Sequence, residues 1–248
     1  MAGMSQVVVV TGAGSGLGRE TAREFLGRGH RVVLAGRRRE TLVQAAGEHP
    51  QALVVPTDVT DPSSVEALFA ETVRVFGRVD VLFNNAGVFG PSASVAELSD
   101  DGWRTTWQTN VDGSVFCARA AVKVMLAQTP RGGRIINNGS ISAHRPRPNS
   151  LAYTVTKHAI SGLTASMALD LRDLDVAVTQ IDIGNAATAM TANIGVEALQ
   201  ANGTRMAEPT MDAAHVARTV AHIAELPLDV AVPTITVMAR AMPYVGRG

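Results

Sequence analysis

Hydrophobic residues in this chain form short runs that alternate with longer amphipathic segments. Seven apolar runs predict strands that are buried on both faces, at residues 6–11, 31–35, 52–56, 79–84, 133–138, 176–183 and 233–238. Helical spacing of apolar positions fills the intervals, at residues 17–29, 39–47, 62–76, 103–128, 150–173 and 213–224. This alternation predicts an α/β fold, a doubly wound parallel sheet of about seven strands with helices on both faces.

No change of composition, repeat or low-complexity tract marks a second domain, so we predict one domain over residues 1–248. Two stretches, 88–102 and 184–210, fit no regular element. Because long loops in compact domains are usually functional, the second is predicted to be a substrate lid near residues 185–210. Its apolar contacts would come from Met190, Ile194, Val196 and Leu199.

Charge and cysteine content narrow the functional classes. The 22 basic and 22 acidic residues cancel, and a chain without a basic face is not expected to bind nucleic acid or an anionic membrane. The single cysteine, Cys117, excludes an intrachain disulfide, and its apolar neighbours predict a small buried core residue. No cationic segment followed by a signal-type apolar core opens the chain, so a cytoplasmic protein is expected.

Tyrosine and lysine are scarce, and one of each lies four residues apart. The only tyrosines are Tyr153 and Tyr244, and the only lysines are Lys123 and Lys157. Residues four apart share one face of a helix, so Tyr153 and Lys157 are predicted to lie side by side. An ammonium group beside a phenol favours the phenolate and lowers the tyrosine pKa. The pair is therefore a candidate for proton transfer, with an interfacial tyrosine of no chemical role as the alternative.

A glycine-rich loop follows the first predicted strand and opens the first helix. Its residues are Thr11, Gly12, Ala13, Gly14, Ser15, Gly16, Leu17 and Gly18. Glycines let the main chain approach a pyrophosphate, and the helix N-terminus attracts its negative charge. The loop predicts a dinucleotide site, although a tight turn between a strand and a helix would also use glycines.

The spacing of this loop, Thr-Gly-x-x-x-Gly-x-Gly, resembles that of the short-chain dehydrogenase/reductase family. Further segments resemble motifs of that family in the same order: Asn84-Asn85-Ala86-Gly87, Asn110-Val111-Asp112-Gly113, and Ser140 thirteen residues before Tyr153. The resemblance extends over most of the chain. It implies a Rossmann-type fold and an enzyme that interconverts a small-molecule alcohol and its ketone or aldehyde by hydride transfer with a nicotinamide cofactor.

The resemblance also implies roles for individual residues. Tyr153 would be the general acid–base, and Lys157 would lower its pKa and bind the nicotinamide ribose. Ser140 would bind the substrate oxygen, with Ser142 as the less well spaced alternative. Asn110 would hold a water that links Lys157 to solvent, or serve only as a structural helix kink. The cofactor-binding set would be Gly12, Gly14, Ser15, Gly16, Leu17, Gly18, Arg37, Arg38, Asp58, Val59, Asn85, Ala86, Gly87, Tyr153, Lys157, Gly184 and Thr188, with no metal.

The end of the second strand favours NADP(H), with NAD(H) possible. A carboxylate there would bind the ribose hydroxyls of NAD and repel a 2′-phosphate, but this chain has Gly36 followed by Arg37 and Arg38. The planar guanidinium suits a phosphate, whereas a solvated helix start is the alternative for the arginine run. Asp58 would face the adenine amino group.

Several points stay open at this level. Ile183 stands where the family usually has proline, so the loop that follows is less constrained. Arg145 and Arg147 could bind a substrate carboxylate or could lie on the outer side of their loop. The family resemblance implies a homotetramer or homodimer, with the apolar C-terminal segment 236–248 at an interface. The alternatives to an NADP(H) enzyme are an NAD-dependent alcohol or 3-hydroxy acid dehydrogenase, an epimerase or dehydratase, and a non-catalytic dinucleotide-binding regulator.

Overall fold

The computed structural model describes residues 5–191 and 196–244. Seven strands form the central sheet: β1 (Val7–Thr11), β2 (Arg31–Gly36), β3 (Ala52–Pro56), β4 (Val81–Asn84), β5 (Gly133–Asn138), β6 (Val176–Ile183) and β7 (Thr234–Val237). The helices are α1 (Gly16–Gly27), α2 (Arg39–Ala46), α3 (Pro62–Phe76), α4 (Asp100–Trp107), α5 (Gly113–Ala127), α6 (Leu151–Asp170) and α7 (Ala213–Ala224). No helix among these residues is long and apolar enough to cross a membrane.

The strands lie in the order β7-β6-β5-β4-β1-β2-β3, and every neighbouring pair is parallel. The predicted α/β sheet is therefore confirmed, with strand ends that differ from the prediction by one or two residues. The strand order reverses between β1 and β4, and in such sheets the carboxyl ends of the strands open a crevice at that point. The glycine-rich loop leaves β1 at this crevice.

Both faces of the sheet are buried. Val8 and Val10 of β1 belong to one apolar cluster and Val9 to the other, because successive side chains of a strand point to opposite faces. Helices α1 and α7 pack together over the first face, and α3 and α5 over the second. Cys117 of α5 lies fully buried in the second cluster, as predicted, and burial raises the pKa of its thiol to about 12.

The predicted helix at 103–128 begins earlier, at Asp100, and contains a π-helical turn over Gln108–Asp112 between α4 and α5. Asn110 is the centre of that turn, and its carbonyl oxygen accepts a hydrogen bond from the Ser114 hydroxyl at 2.7 Å. A π turn accommodates one extra residue without breaking the helix, so the sequence predicted a single helix across it. Helix α3 begins at Pro62 as predicted, and the side chain of Asp61 accepts a hydrogen bond from the Ser63 N–H at this end of the helix.

Where the structure describes the two irregular stretches, they contain little regular structure. Segment 185–210 holds a short 3₁₀ turn (Ala189–Thr191) and two-residue strands, of which Ala186–Ala187 pairs with Met211–Asp212 and Ala198–Leu199 pairs with Arg205–Met206. Ile194, one of the apolar residues predicted for the lid, lies outside the described residues. Val196 is exposed and Leu199 is half-buried.

Candidate active site

A groove of about 420 Å³ runs along the carboxyl edge of the sheet. Arg37 and Arg38 lie on its wall near the glycine-rich loop, and Tyr153 and Lys157 also line it. Every predicted cofactor-binding residue lines this groove except Gly18. The sequence did not single out Gln108, Asn138 and Gly139, which line it as well, and Met190, predicted for the lid, also lines it.

The glycine-rich loop needs glycine for two different reasons. Gly12 and Gly16 have positive φ values of 67° and 52°, which side chains rarely adopt. Gly18 instead packs beneath the loop, where a Cβ atom would overlap the Gly12 carbonyl oxygen and lie 2.6 Å from the Asn85 Nδ2 atom. Gly18 therefore shapes the groove from behind without facing it.

Gly18→Ala is expected to lower the unfolding free energy by about 1–3 kcal/mol, because the added methyl group meets main-chain atoms that cannot rotate away. Gly162→Ala is the matched control: it lies in α6 with nothing within 4 Å of the added Cβ, and it should be neutral or stabilise by up to about 1 kcal/mol. Urea unfolding followed by circular dichroism measures both. Equal midpoints for the two variants would contradict the packing argument.

Hydrogen bonds connect the loop to Lys157 across three strand ends. The Thr11 hydroxyl accepts from the main-chain N–H groups of Asn85 (2.9 Å) and Ala86 (3.0 Å), and the Asn85 amide donates to the Thr11 carbonyl. The Asn85 Oδ1 atom accepts from Asn138 Nδ2 at 2.9 Å. Lys157 Nζ then donates to the Asn138 carbonyl at 2.6 Å. This chain of contacts fixes Lys157 relative to the glycine-rich loop.

Tyr153 and Lys157 lie side by side on α6, as their spacing predicts, with Lys157 Nζ 5.5 Å from the centre of the tyrosine ring. Burial raises the pKa of Tyr153, and a hydrogen bond with Ser140 lowers it. Burial also lowers the pKa of Lys157 to about 8, although the negative charge of Asp182 acts to raise it. The expected depression of the Tyr153 pKa is thus not found, because desolvation of the phenol outweighs its polar contacts.

Ser140 is the serine that meets Tyr153. It is buried at the end of β5, and its hydroxyl oxygen accepts the Ser142 N–H at 3.1 Å. Ser140 is also the serine whose side chain lowers the pKa of the Tyr153 phenol, so two of the predicted catalytic residues act on each other. The thirteen-residue spacing therefore selected the serine that lies beside the phenol, rather than Ser142.

The Asn110 side chain has structural partners. Its Oδ1 atom accepts the Val88 N–H at 2.8 Å, and its Nδ2 atom donates to the Val88 carbonyl (2.9 Å) and to Thr156 Oγ1 (3.0 Å). Asn110 thus ties the loop after β4 to the buried face of α6, one residue from Lys157. The predicted water link to Lys157 stays a prediction.

An aromatic contact at Tyr153 was not predicted. The half-buried Phe89 ring stacks on the Tyr153 ring, with centroids 4.9 Å apart and planes inclined by 30°. Phe89 follows the Asn-Asn-Ala-Gly segment by two residues, and no local pattern indicates its partner. The Tyr153 ring thus contacts both the Phe89 ring and the Lys157 side chain.

The loop arginines have different surroundings. Arg147 forms two hydrogen bonds with the buried carboxylate of Glu208, at 2.9 and 2.5 Å, and a third with Asn185 Oδ1 at 3.1 Å. Arg145 is exposed and donates to the His144 carbonyl at 3.3 Å. The carboxylate that Arg147 binds thus belongs to the chain itself, and this ion pair joins the loop after β5 to segment 185–210.

The C-terminal segment packs against the site within its own chain. Ala239 and Met242 are buried together with Ile141, which follows Ser140 directly. A Cβ atom at Gly184 would lie 2.6 Å from the Met238 Cβ, so the tail also presses on the loop that follows β6. Residues 245–248 lie outside the described residues, and a role for the tail at a subunit interface stays a prediction.

Within residues 5–191 and 196–244, no group of three or more histidine, cysteine, aspartate and glutamate side chains is placed to hold a metal ion.

Comparison with known proteins gives a consistent result. The family model described as short chain dehydrogenase matches residues 6–198. A 3beta-hydroxysteroid dehydrogenase of Mediterraneibacter gnavus is 37% identical over 207 residues, which cover 82% of this chain and 72% of that protein. The closed form of a serine dehydrogenase complexed with NADP+ has a TM-score of 0.85 at 26% identity and covers 98% of both chains.

A second solved structure supports the fold alone. The 3-ketoacyl-(acyl-carrier-protein) reductase from Brucella melitensis, complexed with NADH, has a TM-score of 0.84 at 23% identity and covers 95% of this chain and 98% of its own. The family model covers most of this chain. The steroid dehydrogenase is identical at more than a third of the aligned positions, and the alignment covers about four fifths of this chain. This protein therefore belongs to the short-chain dehydrogenase/reductase family of oxidoreductases.

Proposed function

We propose that this protein is an NADP(H)-dependent oxidoreductase that interconverts a small-molecule alcohol and its ketone or aldehyde. The observation that carries the proposal is the continuous groove between the glycine-rich loop and the Tyr153–Lys157 pair. Ligands of doubly wound sheets bind at this edge, where the strand order reverses. The serine dehydrogenase with NADP+ and the ketoacyl reductase with NADH are consistent with a nicotinamide dinucleotide in the corresponding groove.

The residues along the groove fit that cofactor. Gly12 and Gly16 hold the main chain in conformations that allow close approach of a pyrophosphate at the start of α1. Arg37 and Arg38 are exposed on the groove wall, where a carboxylate is replaced by Gly36, and they would hold a 2′-phosphate. Lys157 would bind the nicotinamide ribose. When bound, the cofactor supplies or accepts the hydride.

The proton is handled by the chain's own residues. Burial keeps the Tyr153 phenol protonated near neutral pH, so its hydroxyl can donate a proton to a carbonyl oxygen during reduction. In alcohol oxidation the same oxygen takes the proton back. Ser140, whose side chain lowers the pKa of Tyr153, donates a hydrogen bond to the substrate oxygen and stabilises its developing charge. Lys157 stabilises the phenolate whenever its ammonium is charged.

The proposal extends to the surroundings of this site. The protein would be a single domain, with segment 185–210 as its substrate lid. Two observations support the lid: Thr188 and Met190 line the groove, and the Arg147–Glu208 ion pair anchors the other end of the segment. The small-molecule substrate, the cytoplasmic location and the homotetramer or homodimer implied by the family stay predictions.

Arg37→Ala is expected to weaken NADPH binding by about tenfold or more while leaving NADH binding unchanged, because hydrogen bonds to a charged phosphate contribute about 1.5–3 kcal/mol. Titration of nicotinamide fluorescence measures both cofactors. Arg39→Ala is the matched control, since Arg39 is exposed at the start of α2 but does not line the groove.

The same titration tests one alternative function, and a turnover assay tests another. Equal or tighter NADH binding by the unsubstituted protein would instead indicate an NAD-dependent alcohol or 3-hydroxy acid dehydrogenase. Cofactor binding without turnover across a broad panel of alcohols and carbonyl compounds would favour a non-catalytic dinucleotide-binding regulator.

A further inference from the structure

A fully buried carboxylate contacts the main chain of Ser140. Asp182 is 0% exposed and sits at the carboxyl end of β6, between the apolar residues Ile181 and Ile183. Nothing in the reaction described above uses it. A buried charge is costly unless polar groups compensate it, so its partners indicate what it does.

Three hydrogen-bonding groups converge on Asp182. Its Oδ1 atom accepts the main-chain N–H of Ser140 at 2.9 Å and the side-chain amide of Gln180 at 2.7 Å. Its Oδ2 atom lies 2.8 Å from His144 Nε2. An ionised carboxylate only accepts hydrogen bonds, so Nε2 carries the hydrogen in this pair. The carboxylate thereby links β6 to both ends of the turn that begins at Ser140.

The chain makes room for this contact at Gly139. A Cβ atom at position 139 would overlap the Asp182 Oδ1 atom and lie 2.9 Å from the Gln180 Cγ atom. The missing side chain therefore lets the carboxylate reach the main chain next to Ser140. The Gly139 N–H donates to the Ile181 carbonyl at 2.9 Å, which holds the two strand ends together at this point.

We propose that Asp182 is a positioning residue of the active site: it holds the main chain of Ser140 in place and supplies a fixed negative charge to the Tyr153–Lys157 pair. The inference rests on the proposed function for the roles of Ser140 and Tyr153. Among titratable groups, His144 on the loop after β5 contacts the carboxylate, whose charge acts through space on the pKa values of Tyr153 and Lys157 on α6.

The pKa shifts of Tyr153 and Lys157 on α6 support the effect of the Asp182 charge on this pair. Burial raises the pKa of Tyr153, and the charge of Asp182 raises it further. Ser140 acts in the opposite direction and lowers this pKa. Burial lowers the pKa of Lys157, and Asp182 opposes that fall. Asp182 thus favours the protonated form of each group, so removing its charge should make both lose their protons at lower pH.

The first experiment uses the scarcity of tyrosine. In a Tyr244→Phe background, ultraviolet absorbance of tyrosinate reports Tyr153 alone, without substrate or cofactor. Asp182→Asn keeps an oxygen that can accept from Ser140 and Gln180, and the His144 tautomer can adjust, so chiefly the charge is lost. We expect the ionisation midpoint of Tyr153 to move to lower pH. An unchanged midpoint, with the fold intact by circular dichroism, would overturn the electrostatic role.

Asp101→Asn in the same background is the matched control, because it removes the same charge from a side chain that is 98% exposed on α4. Its midpoint should equal that of the background protein. A shift as large as that of Asp182→Asn would show a general charge effect and would also overturn the proposal.

The second experiment tests the hold on Ser140. Asp182→Ala leaves the Ser140 N–H without its acceptor, so its amide should exchange with deuterium about tenfold faster than in Asp182→Asn. Equal exchange in the two variants would overturn the positioning role. Both experiments are independent of catalysis, so wild-type turnover with NADPH or NADP+ decides the proposed function separately.

Discussion

Tyr153→Phe is expected to lower kcat by about a thousandfold in both reaction directions, because positioned general acid–base catalysis contributes about a hundredfold to ten-thousandfold. Phenylalanine removes only the hydroxyl and preserves the ring that stacks on Phe89. NADPH affinity should therefore change little. Steady-state kinetics at 340 nm and a separate cofactor titration distinguish the two effects.

The control for this variant is Tyr244→Phe, which removes the same hydroxyl from the other tyrosine, packed in the cluster around Ile141. Its kcat should stay near the wild-type value. Retention of wild-type turnover by Tyr153→Phe would contradict the acid–base role of Tyr153, whatever cofactor the enzyme prefers.

Glu208→Ala is expected to lower the unfolding free energy by about 3 kcal/mol, because it leaves the Arg147 guanidinium without its counter-charge. The Glu208 side chain is 0% exposed and that of Arg147 is 12% exposed, so water can replace little of what is lost. Guanidinium-induced unfolding measures the effect. The double variant Arg147→Met/Glu208→Leu removes both charges and should recover most of the loss, since apolar replacement of a whole buried pair is often neutral or stabilising.

The same ion pair has a defined pH dependence. Burial raises the pKa of Glu208, but hydrogen bonds from Arg147, Asn185 and Gln200 outweigh it and bring the pKa from 4.5 to about 2. A carboxyl group with a depressed native pKa contributes stability above its unfolded value, and that contribution is lost as the pH falls from 4.5 towards 2. Wild type should therefore lose stability over this window more steeply than the double variant. Parallel curves would show that the pair contributes nothing.

The fold was predictable because a parallel strand that is buried on both faces must be apolar along its whole length. In β1 the valines at positions 8 and 9 enter opposite cores, and both had to be hydrophobic. The glycine loop and the Tyr153–Lys157 pair were predictable for a related reason. Each depends on spacing within one turn or one helix, and local geometry converts such spacing directly into proximity.

Other features of the site were not visible in the pattern. A π turn adds one residue to a helix and rotates the following positions by about 100°, which a short apolar pattern does not resolve. A structural kink at Asn110 was one of the alternatives, but the π form of the turn at Gln108–Asp112 was not predicted, nor were the contacts of Asn110 with Val88 and Thr156. The raised Tyr153 pKa was missed because spacing identifies a neighbouring charge but not the burial that outweighs it.

By itself, the sequence determined the succession of strands and helices along the chain, the glycine-rich loop at the end of β1 and the tyrosine–lysine pair on α6. Each of these is encoded in neighbouring residues. Only the tertiary structure decided which distant polar and charged side chains contact each other. Asp182 contacts His144 across 38 residues and Arg147 contacts Glu208 across 61, because the ends of parallel strands and the loops between them converge at one edge of the sheet. Those pairings depend on strand order and loop paths, which no local spacing records.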